Sequence, residues 1–243
     1  VYHRVGAATS SRVDLPTSVF RDHMAELADT SRAISLETAL DVLAGRTEAQ
    51  HPHPVVVTFD DGTGDFLDNA VPVLAEHAIP TTLYAATRWI DEAKPFWGDD
   101  TAALSWDGMT EVVASGVVTI GSHTHDHLLF DRITPAEARQ QIRRSVELIQ
   151  DHLGLDAVDF CYPKALMPSP ENLAVVREHF RSATLAGTRP NVAAGHDPHL
   201  LWRTPVQTAD VGSWFTRKTN GGLGLEDRLR DQLNRVRYRG AAR

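Results

Sequence analysis

Two short stretches hold most of the residues whose types and spacing could do chemistry. The first is Asp60-Asp61-Gly62, directly after the apolar run Val55-Val56-Val57-Thr58-Phe59. Adjacent carboxylates repel unless a cation or a shared proton separates their roles, so the pair asks for a metal or an acid–base division of labour. Asp61-Gly62 is also ordinary turn chemistry, and the pair by itself leaves both readings open. The second stretch, Gly121-Ser122-His123-Thr124-His125-Asp126-His127, follows the β-type run Val117-Val118-Thr119-Ile120 and carries three histidines. A helical path there would put His123 and His127 at i and i+4 on one face, able to converge on one ion. His125 would point elsewhere, as a bystander or a substrate-side residue. One aspartate and two histidines leave positions open for water and substrate, as a catalytic metal site requires, and the other aspartate is then available as a base. The implied chemistry is metal-assisted hydrolysis. Zinc suits this nitrogen and oxygen ligand set, and Co2+, Ni2+ or Mn2+ also fit the ligand types.

Such groups need a scaffold that delivers them to one place. Short β-rich runs alternate with longer amphipathic runs, the pattern of a parallel α/β architecture. After Val55 to Phe59 the strand-like runs are Thr81 to Tyr84, Val117 to Ile120, Val158 to Tyr162, Ala183 to Leu185 and a short one near Arg203 to Val206. Thr134-Pro135-Ala136-Glu137 combines an N-cap hydroxyl, proline at the first helical position and a glutamate placed for a capping box. Ile142, Val146, Ile149 and Leu153 then form one stripe, and Gly154 is a natural stop. Further helices are predicted from Ser169 toward Phe180, over Phe20 to Ala28 and over Ser35 to Ala44, with surface loops near Lys94 to Asp100 and Arg189 to His199. Six or seven strands in roughly the ~250 residues of a barrel predict a single domain over 1–243, a distorted and incomplete (β/α) barrel. Its strand ends would carry both chemical stretches on the catalytic face. No glycine-rich dinucleotide fingerprint follows any strand, which argues against an open doubly wound sheet.

Composition narrows the function classes. With Lys+Arg 24 and Asp+Glu 32 in 243 residues the net charge is −8, against a nucleic-acid surface as the main business of the chain. No stretch approaches the ~20 apolar residues of a spanning helix. Arg228, Arg230, Arg235, Arg237, Arg239 and Arg243, interleaved with Leu229, Leu233 and Val236, read as the wet face of a terminal amphipathic helix. The single cysteine, Cys161, cannot form an internal disulfide. The chain opens at Val1 with no basic-then-apolar leader, which fits a cytoplasmic protein slightly better than a processed secreted one.

Thr58-Phe59-Asp60-Asp61-Gly62 and Ser122-His123-Thr124-His125-Asp126-His127 resemble the first two motifs of the polysaccharide deacetylases, carbohydrate esterase family 4. Phe160-Cys161-Tyr162-Pro163 resembles the third motif in its form ending Tyr-Pro, and Leu201 to Val206 the late strand. The resemblance implies that Asp61, His123 and His127 hold the metal, that Asp60 is the base acting on the attacking water, and that the N–H of Lys164 meets the oxyanion. Tyr162 and Pro163 would lie against substrate. The usual late Leu-x-His motif is missing, and Tyr2-His3-Arg4-Val5 instead looks like the circularly permuted branch that includes the poly-N-acetylglucosamine deacetylases, making His3 the general acid. The usual third-motif arginine is missing too, and Arg203 is the expected replacement, reaching Asp60 across the barrel mouth. Among the tryptophans Trp97 is the expected exposed sugar-stacking residue, with Trp89, Trp106, Trp202 and Trp214 mostly in the core. The implied activity is removal of N-acetyl groups from amino sugars of a glycan or glycoconjugate. The alternatives are hydrolysis of a small-molecule amide or an O-acetyl ester, or a catalytically silent carbohydrate-binding barrel. An intact Asp60 with His3 favours the enzyme, since a binding module has no use for a base.

Overall fold

The structure is a computed structural model and describes residues 1–96, 101–192 and 196–221. Trp97 and the arginine-rich 228–243 stretch lie outside the described residues. Among the described residues there are eight strands: β1 (Arg4–Val5), β2 (Asp14–Leu15), β3 (Val57–Asp61), β4 (Thr81–Ala85), β5 (Val118–Ser122), β6 (Asp159–Cys161), β7 (Ser182–Ala186) and β8 (Leu201–Arg203). The last six form one parallel sheet in sequence order, β3 to β8. This is the incomplete barrel that the alternating pattern predicts, a half-barrel whose edges are β3 and β8.

The edge at β3 is not bare. Tyr2 lies parallel beside Phe59, its N–H donating to the Thr58 carbonyl at 2.9 Å and its carbonyl accepting from Asp60 N–H at 3.1 Å. The opening residues are thereby carried to the C-terminal end of β3, and His3 comes with them.

Helices cover the outer face. α1 (Thr17–Asp29) and α2 (Leu36–Leu43) precede the main sheet, and α3 (Val71–Glu76), α4 (Thr87–Glu92), α5 (Trp106–Ala114), α6 (Pro135–Leu153), α7 (Pro170–His179) and α8 (Ser213–Thr219) follow. The start of α6 is the predicted capping box: Thr134 N–H donates to Glu137 Oε2 at 2.7 Å, while Thr134 Oγ1 accepts from Glu137 N–H. Its end is Gly154 at φ +66°, a left-handed cap that glycine adopts without steric cost. The buried stripe is centred on Ala138, Gln141, Ile142, Ser145, Leu148 and Ile149. That is rotated from the predicted one, because Ser145 and Gln141 turn inward to hold the histidine loop.

Strand alternation divides each strand between the helix layer and the barrel interior. Phe59 faces the helices, its ring 5.3 Å from Tyr2, 5.6 Å from Phe20 and 4.7 Å from Phe66. Fully buried aromatics of this kind are each worth about 1.5–3 kcal/mol, so they anchor β3 firmly. Thr58 and Asp60 face inward. Gly121, beside Tyr84 in the register, has no room for a side chain, since a Cβ there would fall 2.6 Å from the Tyr84 ring.

Candidate functional site

Asp60 and Asp61 are successive residues at the end of β3, which regular alternation would send to opposite faces. Asp61 instead has φ +76°, a conformation uncommon outside glycine, and this turn brings its carboxylate back toward the barrel mouth. There Asp61 Oδ1 lies 3.6 Å from His123 Nε2 and 3.8 Å from His127 Nε2. The donor atoms of the three residues all lie within 4.8 Å of one another, and all three side chains are buried.

The two histidines do not converge through a helix. The chain leaves β5 in a tight loop with Thr124 at φ +69° and His127 at φ +56°, and these two left-handed residues turn the imidazoles toward each other, ring centroids 4.7 Å apart. Local hydrogen bonds hold that path. Thr124 Oγ1 accepts from His127 N–H at 2.9 Å, Ser122 Oγ meets Ser145 Oγ at 2.8 Å, and Gln141 accepts from Asp126 N–H at 2.6 Å. His125 turns the other way, its Nδ1 3.0 Å from Thr87 Oγ1.

The set fits a metal ion. Nδ1 of His123 pairs with the Cys161 carbonyl at 2.8 Å, which leaves Nε2 facing Asp61, the tautomer arrangement common behind metal-ligating imidazoles. Burial lowers the pKa of both His123 and His127, so each is neutral and able to offer a lone pair. On the protein's own charges, burial and the neighbouring Asp60 push the Asp61 carboxyl up to about 7. A cation between these groups would let both aspartates ionise together. Among the tetrahedral edges expected for nitrogen and oxygen ligands, about 3.3 Å, the observed 3.6 and 3.8 Å need only slight contraction.

Asp60 is held differently. Arg203, the last residue of β8 rather than the first residue of a strand, crosses the open seam and donates from Nη1 to Oδ1 at 2.6 Å and from Nη2 to Oδ2 at 2.8 Å. Arg203 Nη1 also donates to Thr58 Oγ1 at 3.0 Å, and the guanidinium lies 5.2 Å from the Tyr84 ring centroid. The strand comes earlier than the sequence suggests because Pro205 has no N–H for a ladder. Burial by itself would raise the Asp60 carboxyl, but the charge and hydrogen bonds of Arg203 outweigh it and hold the carboxyl well below the usual carboxylate range. His3 Nε2 lies 4.0 Å from Asp60 Oδ2. Burial lowers His3 to about 4, against the opposing pull of Asp60.

The remaining predicted residues fall at graded distances from this centre. Lys164 follows β6 in a single helical turn, Pro163–Ala165, with φ +54°, and its positive charge is one of those that stabilise the Asp61 carboxylate. Tyr162 is a correction to the expected substrate contact. Its ring is fully buried against Phe130 and Phe160, and its hydroxyl donates to the His199 carbonyl at 3.3 Å. Residue type favours this outcome, since a large apolar ring beside a core of phenylalanines gains more from burial than from solvent. Pro163 is buried as well.

Three further residues at the site escape a reading by motif. Cys161 Sγ lies 3.6 Å from Asp60 Oδ2 and accepts from Arg203 Nη2 at 2.8 Å, and burial raises its thiol well above the ordinary value. Tyr84 underlies Arg203. Trp89 of α4, half-buried, turns its edge to His127 at 6.3 Å and stacks on Phe96 at 5.1 Å. The signal for Cys161 and Tyr84 is strand parity, which turns both toward the barrel interior, Tyr84 in register with Asp60.

Comparison with known proteins identifies the family. The sequence profile of the polysaccharide deacetylases matches residues 47–179. The chain belongs to that family. Its de-N-acetylase members are hydrolases of carbon–nitrogen bonds other than peptide bonds. The Bacillus subtilis protein YxkH, whose name places it among the polysaccharide deacetylases, is 25% identical over 163 residues, 67% of this chain and 54% of YxkH. This chain thus spans about half the length of that curated relative. Among solved structures, IcaB from Ammonifex degensii superposes with a TM-score of 0.75 at 26% identity, covering 91% of this chain and 94% of that one. The Streptococcus pyogenes deacetylase PplD, solved with acetate, gives 0.78 at 17% identity over 90% of this chain and 95% of that one, a likeness of fold. No helix among the described residues is long and apolar enough to cross a membrane.

Proposed function

We propose that the chain is a metal-dependent N-deacetylase that removes acetyl groups from amino sugars of a polysaccharide or glycoconjugate and releases acetate. One observation carries the reading. A carboxylate kept ionised by a buried bidentate arginine, Asp60 with Arg203, stands beside a buried Asp61, His123, His127 donor set. Family membership and the likeness to IcaB support the same chemistry.

In this reading Asp61, His123 and His127 hold the ion, for which zinc is the first choice and Co2+, Ni2+ or Mn2+ would also suit the donors. Bound there, the ion would supply Lewis acidity, making water a better nucleophile and the acyl carbon a better electrophile. Asp60 orients the water and accepts its proton, and Arg203 is the positioning residue that fixes the carboxylate. Negative charge building on the acyl oxygen meets the backbone N–H of Lys164. The proton taken up by Asp60 moves through His3, whose Nε2 lies 4.0 Å from Asp60 Oδ2, to the departing nitrogen, so that the C–N bond breaks to an amine and acetate. The glycan lies over the mouth beside the half-buried Trp89, whose ring centroid is 6.3 Å from that of His127.

The test is acetate release from N-acetylglucosamine oligomers by zinc-reconstituted protein, beside chelated protein and Asp60→Asn. Loss of a general base costs about 10²–10⁴-fold, so Asp60→Asn should fall by that much and chelation should abolish turnover. Acetate release by Asp60→Asn at the wild-type rate, or none from folded, zinc-loaded wild type, overturns the proposal.

A further inference from the structure

The donor atoms of Asp60, His123 and Cys161 also lie within 4.8 Å of one another, and all three residues are buried. This second set shares His123 with the first but lies deeper in the barrel, on the side of Arg203. We propose that it is an alternative metal position, selective for soft divalent ions such as Cd2+, and that an ion there blocks hydrolysis by taking Asp60 out of use. The blocking consequence rests on the hydrolase reading above. The existence of the position does not.

The geometry suits such an ion. Metal–sulfur and metal–oxygen bonds of about 2.3 and 2.0 Å at a tetrahedral angle put the two ligand atoms roughly 3.5 Å apart. Cys161 Sγ and Asp60 Oδ2 are 3.6 Å apart before any ion arrives. The carboxylate can turn Oδ2 to the ion and keep Oδ1 on Arg203 Nη1, its 2.6 Å contact. On binding, the S–H bond breaks, a metal–sulfur bond forms, and the proton leaves to water. The new thiolate remains beside Arg203 Nη2, already 2.8 Å from the sulfur, so its charge is compensated.

Charge and ligand softness decide which position an ion takes. Counting Arg203, Asp60 and Asp61, a divalent ion in the outer position leaves the buried cluster at +1, with the thiol neutral. In the deeper position the thiolate brings the same cluster to zero, which a low-dielectric interior favours. Thiolate prefers soft ions, whereas a carboxylate with two imidazoles suits zinc and harder ions. Both positions draw on His123, so they compete and are not filled together.

The chain has a single cysteine, which makes the readout unambiguous. The protein, stripped by chelation, is titrated with Cd2+ while thiolate-to-metal charge-transfer absorption is followed in the ultraviolet. The band should rise and saturate at one equivalent in wild type, and Asp61→Asn should retain it. Cys161→Ser should still bind one Cd2+ by metal analysis, through the outer set, without the band. For zinc-loaded enzyme, Cys161→Ser should need at least about 10-fold more Cd2+ for half-inhibition, since even outer-shell partners are worth 10–100-fold in metal affinity. One bound Cd2+ in wild type with no band, loss of the band in Asp61→Asn, or equal cadmium sensitivity of wild type and Cys161→Ser each overturns the proposal. The absorption band is independent of turnover, so absence of acetate release would defeat the proposed activity and leave this test standing.

Discussion

Removing Arg203 tests the central electrostatic claim, because Asp60 has no other cation in hydrogen-bond contact among the described residues. Both side chains are buried, 4% exposed for Asp60 and 8% for Arg203, and the pair is bidentate at 2.6 and 2.8 Å. Arg203→Ala leaves an uncompensated carboxylate in the interior, and breaking a buried pair from one side costs about 3–5 kcal/mol. For a domain of 150–250 residues each kcal/mol is worth about 2–4 °C, so the melting temperature should fall by roughly 6–20 °C. Asp60→Asn in the Arg203→Ala background removes the orphaned charge. The double variant should therefore recover part of that loss while remaining inactive, a coupling that a thermodynamic cycle measures directly. Activity gives a second axis. Arg203 holds the Asp60 carboxyl below the usual range, so the ionised form persists to low pH and is lost only as pH falls through that depressed value. Without the guanidinium, burial raises the carboxyl, and the acid limb of turnover should move to higher pH. Thermal melts of the four proteins and acetate release against pH are the assays. A melting temperature within about 1 °C of wild type, together with an unmoved acid limb, would refute the argument.

Two further predictions probe the scaffold. Gly121→Ala places a methyl 2.6 Å from the Tyr84 ring and 2.9 Å from the Asp159 carbonyl, and overpacking of this kind should cost about 1–3 kcal/mol, read from a denaturant midpoint. His23 is buried between the Tyr2 hydroxyl at 3.2 Å and the Asp210 carbonyl at 2.7 Å, and burial lowers its pKa. The unfolded chain, with an ordinary value near ~6.5, then binds more protons below that pH, so this stabilisation is present above ~6.5 and lost as pH falls. His23→Gln should flatten the difference between stability at pH ~7 and ~5 relative to wild type, and an unchanged difference would show that His23 does not titrate on unfolding.

The sequence is most informative where a residue type has one economical place to go. The six strands of the main sheet are legible because β-branched and aromatic runs are bounded by turn residues, and α6 because its capping box, proline and terminal glycine act together. The short helices α3, α4, α5 and α8, of six to nine residues, leave too few turns for a periodic stripe, and tertiary packing decides them. The residues of the candidate site are legible by type and position at strand ends. Their convergence is not, because it depends on positive φ at Asp61, Thr124 and His127, residues for which the left-handed region is a minority state and only the finished loop selects it.

The same limit explains Cys161 and Tyr162, neighbours with opposite fates. A motif reading treats Phe160-Cys161-Tyr162-Pro163 as one block, but a strand presents successive side chains to opposite faces. Phe160 and Tyr162 enter the helix layer, with ring centroids 5.2 Å apart, while Cys161 faces the barrel beside Asp60. Parity on β3 and β4 is consistent with this, since Asp60 pairs in register with Tyr84, and Tyr84 with Gly121. One inner layer therefore holds a carboxylate, a phenol ring and the space a glycine leaves for it, with the thiol and guanidinium closing the seam between β3 and β8. The half-barrel is stitched there by the same Arg203 that holds Asp60, so scaffold stability and the ionisation of the candidate base are coupled through a single side chain.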